Sequence, residues 1–177
     1  MLLFINEADG DLYCASVYVR YALAGAVVVE LIDTGQAADE KPQAAVERLC
    51  KDVRDDVMTR LEQRGVARVE RSKLLGIFPR KRYVITDPVT AGEVRTAVTD
   101  VLRGGRAPDE RTGALISLLH AVRAVHKVID GNPREMNPRA KQIAAGDWAN
   151  GAVRTASKAV EAALMQHVRA ATSVSFG

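Results

Sequence analysis

The stretch Tyr18–Leu31, YVRYALAGAVVVEL, constrains this chain more than any other. Between Arg20 and Glu30 it carries no charge: Tyr21, Leu23 and Val27 to Val29 are large and apolar, and Ala22, Ala24, Gly25 and Ala26 are small. A helix that is apolar all round is either buried in protein or spans a membrane. The uncharged run is only about half of the ~20 residues that a span needs. Val27-Val28-Val29 also fits a buried strand, because short apolar runs are ambiguous. Ala and Leu in the first half favour helix, and the small cluster lets a neighbouring helix come close. The expectation is a buried central helix around which the other elements pack.

With 177 residues, the simplest organisation is one domain, 1–177, large enough to bury a core. The net charge of +3 suits an anionic partner but falls far short of a nucleic-acid tail. Cys14 and Cys50 lack metal-ligand spacing and fit reduced thiols of a cytosolic protein. MLLFINEADG has neither a basic leader region nor a long apolar one. The expected location is cytoplasmic, with any membrane contact peripheral, at the inner membrane face.

Leu2 to Ile5 reads as a short strand, Asp9-Gly10 as a turn, and Leu12 to Cys14 as its return. Pro42 opens a helix to Arg64 with the stripe Val46, Leu49, Val53, Val57 and Leu61, and Gly65 stops it. Val66–Val69 and Arg82–Ile85 read as strands of a basic hairpin carrying Arg68, Arg71, Lys73, Arg80, Lys81 and Arg82. Thr90 and Glu93 form a capping box for a helix ending at Gly104-Gly105. Pro108-Asp109-Glu110 opens another helix to about Ile129, and Gly131-Asn132-Pro133 breaks it. Residues 134–147 read as polar, with at most a helical turn or two after Pro138. A last helix runs from Trp148 to about Thr172 with Val153, Ala156, Val160, Ala163, Leu164 and Val168 inward. The fold class is mainly α: about five helices in all, forming a core around the central one, with a small β-hairpin.

The inventory of chemistry points away from an enzyme. His120 and His126 are six apart, not the four that put two imidazoles on one helical face, and His167 is distant. No metal site and no cofactor are expected. Asp55-Asp56 and Asp109-Glu110 are neighbours on helices, where adjacent side chains diverge. The basic hairpin after a helix has the look of a winged helix-turn-helix, with Arg80, Lys81 and Arg82 on a wing. Against nucleic acid as the partner, helix 42–64 mixes Arg54, Arg60 and Arg64 with Asp52, Asp55, Asp56 and Glu62. A solvated hairpin whose cations discourage strand addition explains the same residues. Self-association through helix 148–172, giving a homo-oligomer, is a third reading.

Three segments together resemble the Golgi phosphoprotein 3 family, in the form that many actinobacteria carry. They are Tyr21–Leu31, then Leu61–Val66 with Leu74–Tyr83, and then Arg111–Ala121, RTGALISLLHA. The resemblance implies a mostly helical, non-enzymatic domain at membrane surfaces, binding phosphatidylinositol 4-phosphate and serving as an adaptor for protein clients. It implies a headgroup site built from a tryptophan before the central helix, an arginine within it and two arginines opening a later helix. The matching positions here are Ala15, Ala24, Ala107 and Glu110, none of which keeps the family residue. A membrane-inserting hairpin would fall near Val128–Arg139, which is polar in this chain. Arg106, Arg111 and Arg20 are the cations expected nearest that surface, and an anionic phospholipid headgroup is the expected ligand.

Overall fold

The computed structural model describes residues 1–37, 40–74, 77–146 and 151–174, without the side chains of Leu74 and Val174. The unbroken apolar stretch is a helix, α1 (Ser16–Asp33), and Val27–Val29 belong to it. Val19, Tyr21, Leu23, Ala24 and Val28 are buried. α1 packs against α2 (Pro42–Leu49), α3 (Val53–Gln63), α5 (Glu110–Ala121) and α8 (Gly151–Val174). The small cluster has the expected consequence. A Cβ built on Gly25 would lie 2.6 Å from Leu118 Cδ2 of α5 and 2.6 Å from Val160 Cγ2 of α8. Glycine lets both helices close on α1 at one level.

The other elements follow in order. A single 3-10 turn (Leu2–Phe4) stands where a strand was expected, and only an isolated bridge joins Ile5 to Leu12. The expected helix 42–64 is two helices, α2 and α3, divided at Cys50–Asp52. The hairpin is longer than expected: β1 (Ala67–Leu74) and β2 (Phe78–Ile85) pair antiparallel from Ala67↔Ile85 to Leu74↔Phe78. α4 (Pro88–Leu102) is capped by Asp87, not Thr90, since the Asp87 carboxylate accepts the Thr90 N–H. α5 stops at Ala121, eight residues before the expected end, and a short α6 (Val125–Val128) follows. α7 (Pro133–Ala144) replaces the expected polar connection. Its buried residues Met136, Ala140 and Ile143 keep helical spacing, and Pro133 and Asn132 serve as N1 and cap. Trp148, the expected start of the last helix, lies outside the described residues.

Among the described residues this makes eight α-helices and one two-stranded hairpin, the mainly α class expected, with more and shorter helices. The main core joins α1, α4, α5, α6, α7 and α8 through residues such as Val28, Val98, Ile116, Val125, Ile143 and Val160. Val168, expected inward, is 42% exposed. A smaller core of Ile5, Met58, Ala67 and Tyr83 fixes the base of the hairpin to α3 and the N-terminal turn. No helix of the described residues is long and apolar enough to cross a membrane.

Candidate functional site

The opening of α5 is where cations, a helix start and cavities meet. Gly104, at φ +79°, ends α4 in the left-handed conformation. Asp109 then caps α5: its Oδ1 accepts the Thr112 N–H at 2.8 Å and the Thr112 hydroxyl at 2.8 Å, and the Asp109 N–H donates to Thr112 Oγ1 at 3.1 Å. The Thr112 backbone bond, then its hydroxyl, with Arg106 adding attraction, holds the Asp109 carboxyl below the usual carboxylate range. Arg106 Nη2 pairs with Asp109 Oδ2. The helix start and Arg106 are thus satisfied by the same internal anion. A phosphate arriving there would compete with Asp109 for both.

Arg111 differs. It is exposed and makes no hydrogen bond or ion pair among the described residues. It lines a cavity of about 280 Å³ between α4 and α5, with Thr90, Glu93, Val94 and Arg106. On a second side it borders a shallow depression with Asp33 and Glu110 of α1 and α5. On a third it borders an apolar cavity of about 230 Å³ under the N-terminal turn. Arg106 and Arg111 therefore share one cavity. Arg20 is not brought to it: it lines none of these three, and its Nε is buried without a hydrogen-bond partner.

Half of the hairpin's six cations are paired with carboxylates, and Arg82 is held by a backbone carbonyl. Arg80 Nη2 lies 2.6 Å from Asp11 Oδ2, Lys81 Nζ 3.6 Å from Asp55 Oδ1, and Arg82 Nε donates to the Asp9 carbonyl at 2.7 Å. Arg68 pairs with Glu70 at 2.7 Å. Arg54, on the candidate recognition helix, donates to Ser16 Oγ at 2.6 Å. The outer edge of β2 is also covered, since the Tyr83 N–H donates to Gly10 O at 2.7 Å. At the tip, Ile77 is 74% and Phe78 62% exposed, an apolar end that sequence reading had passed over. Arg71 and Lys73 beside it make no ion pair among the described residues.

The remaining titratable groups build no site. Among the described residues no three His, Cys, Asp or Glu side chains are placed to hold a metal ion. His120 is half-buried with its pKa lowered by burial, and the His167 ring lies tilted at 57° to Tyr21, 5.9 Å away. Burial pushes the Cys14 thiol up. Val128–Arg139, where the resemblance places an inserting hairpin, is the end of α6, the Asn132 cap and the first half of α7.

These features define a helical domain with an attached hairpin and a cavity at a helix start that presents an arginine unpaired among the described residues. Residues 34–160, more than two thirds of the chain, match the family model of Golgi phosphoprotein 3 (GPP34), and the chain belongs to that family. The match takes in the hairpin and α5 and begins just after α1. No curated protein and no solved structure matches the chain at a significant level.

Proposed function

We propose that this is a non-enzymatic, peripheral membrane domain that holds an anionic phospholipid headgroup at the cavity between α4 and α5. Membership of the Golgi phosphoprotein 3 family makes a lipid or protein-interaction role the natural starting point. The single observation that carries the reading is Arg111: an exposed guanidinium, unpaired among the described residues, on a cavity also lined by Thr90, Arg106, Glu93 and Asp109. A phosphate there would accept charge-assisted hydrogen bonds from Arg111. Arg106 would join only by exchanging Asp109 for the ligand. One well-placed cation contributes about 1 kcal/mol near an anionic surface, so binding is weak and salt-sensitive.

By the resemblance, the family's phosphoinositide positions fall on Ala15, Ala24, Ala107 and Glu110, none of them a family residue. We therefore propose anionic headgroup binding without selectivity for phosphatidylinositol 4-phosphate. The exposed Ile77 and Phe78, flanked by Arg71 and Lys73, supply a second point of contact suited to the interface of a cytoplasmic membrane face. Protein clients and self-association through α8 remain compatible with this reading. DNA binding has less to stand on, because Arg80, Lys81, Arg82 and Arg54 are already engaged.

The test is vesicle co-sedimentation at low and physiological salt. Vesicles would be neutral, or contain phosphatidylinositol 4-phosphate, or carry another anionic lipid at matched charge. Equal pelleting with both anionic compositions, lost at high salt and in Arg111→Gln, is the expected result. Pelleting with phosphatidylinositol 4-phosphate alone would sink the non-selective reading, and no pelleting at low salt would sink the lipid reading altogether.

A further inference from the structure

The apolar cavity beside Arg111 has no part in headgroup binding as described above. It lies where the N-terminal turn, α1, α3, α4 and α5 converge, and its lining includes Phe4, Leu23, Ala26, Val57, Leu115 and Leu119. Every lining side chain is apolar except that of Arg111, and Met1 adds an α-amino group whose pKa burial lowers to about 6. Arg111, Val94 and Leu115 line both this cavity and the polar one, so the two are neighbours that meet at the guanidinium. An apolar hollow whose one charged side chain is an arginine, beside an amine that burial keeps mostly neutral at pH 7, suits a hydrocarbon chain ending in an anion.

We infer that this cavity takes the acyl chain of a singly chained anionic amphiphile, with its acidic end against Arg111. The volume of about 230 Å³ holds roughly eight water-sized groups at ~30 Å³ each, the scale of a medium-length chain. Burying the chain releases apolar surface on both sides from water. The anion meets a guanidinium that owes nothing to another carboxylate among the described residues, unlike Arg106, which is tied to Asp109. The inference shares Arg111 with the headgroup reading and otherwise stands on the apolar lining.

The experiment is isothermal titration of the intact protein with decanoate, decyl phosphate and decanol. Two variants accompany the wild type. Ala26 is exposed at the rim, so Ala26→Trp fills the cavity without opening the core. Arg111→Gln removes the cation and keeps a polar side chain. Saturable binding of decanoate and decyl phosphate is expected. Ala26→Trp should weaken all three ligands by roughly tenfold or more, the effect of losing contact with about two methylenes. Arg111→Gln should weaken the two anions by roughly tenfold and leave decanol unchanged. No saturable binding to the wild type, or binding untouched by Ala26→Trp, overturns the inference. The two readings fail separately. Anionic vesicles that pellet Ala26→Trp as well as wild type, with no decanoate bound, leave the headgroup reading and remove this one. Decanoate binding without vesicle pelleting does the reverse.

Discussion

Leu118 lies over Gly25 so closely that a Cβ at position 25 would sit 2.6 Å from Leu118 Cδ2. Val160 crowds the same point from α8 at 2.6 Å. Two effects compete in Gly25→Ala. Helix propensity favours alanine by about 1 kcal/mol, and overpacking a tight core costs about 1–3 kcal/mol. Overpacking should win, because two helices must move at once. The urea midpoint of Gly25→Ala should fall below that of the wild type, and Gly25→Val should fall further. A rise in the midpoint for Gly25→Ala would show that Leu118 and Val160 yield freely.

The two arginines of the polar cavity should respond differently. Arg106 is neutralised by Asp109, whereas Arg111 has no partner among the described residues. Arg111→Gln should lower anionic vesicle binding more than Arg106→Gln. Asp109→Asn keeps a good cap while releasing Arg106, so it should raise vesicle binding above the wild type at low salt. Co-sedimentation of the three variants side by side decides this. Equal losses for the two arginine variants would contradict it.

His120 gives the protein a weak acid limb. Burial lowers its pKa, Lys141 and Arg123 add to the lowering, and Glu161 opposes it. The folded state thus favours the neutral imidazole. As pH falls through the ordinary histidine value of ~6.5, the unfolded chain takes up the proton first and stability declines. The contribution is present above that pH and is lost below it. Melting temperature should drop between about pH 7.5 and about pH 5.5, on either side of that ordinary value. His120→Gln should flatten this segment. An unchanged slope in the variant would assign it to another group.

The hairpin tip should matter for surface binding and not for folding. Ile77 and Phe78 are largely exposed, so Ile77→Asp with Phe78→Asp should change stability by no more than about 0.5 kcal/mol. Anionic vesicle binding should fall, both from lost apolar contact and from added repulsion. A double variant that pellets like wild type would remove the tip from the membrane reading.

Much of the architecture is legible in the residues, and the misses share a cause. α1 could be found because its long uncharged run is too apolar to lie open to water on most of its surface. Helices α1, α3 and α4 end at Gly35, Gly65 and Gly104, all at positive φ, and glycine announces such ends. α5 ends the same way, but Arg123 occupies the left-handed position at φ 55°. There the Ala124 N–H donates to Leu119 O and the Arg123 N–H to His120 O. With no glycine to mark it, the apolar pattern runs on through Val122, Val125 and Val128 and conceals the break. The α2–α3 division hides likewise, because Val46, Leu49, Val53 and Val57 keep helical spacing across it. Pro138 and the polar residues around it mask the helical spacing of Met136, Ala140 and Ile143 that encodes α7. At the site, the arginines are visible in sequence. The cavities depend on α1, α3, α4 and α5 meeting at Arg111, and local pattern carries no trace of that.

The hairpin's clamps also set its reach. Arg80 and Arg82 are tied to the loop at Asp11 and Asp9, and Lys81 is held near Asp55 of α3, so successive side chains grip β2 from opposite faces. Past Arg80 and its partner Ser72, the strand pairs Lys73↔Pro79 and Leu74↔Phe78 extend beyond the clamps among the described residues. That overhang is about 7 Å at ~3.3 Å per residue. It is comparable to the ~5–10 Å over which amphipathic segments enter a headgroup layer. An arm this short cannot search for a distant surface. Any lipid layer or protein that Ile77 and Phe78 touch must come nearly flush with the loop and α3, and the clamps at Asp11 and Asp55 would then act as the stop that fixes the stand-off distance.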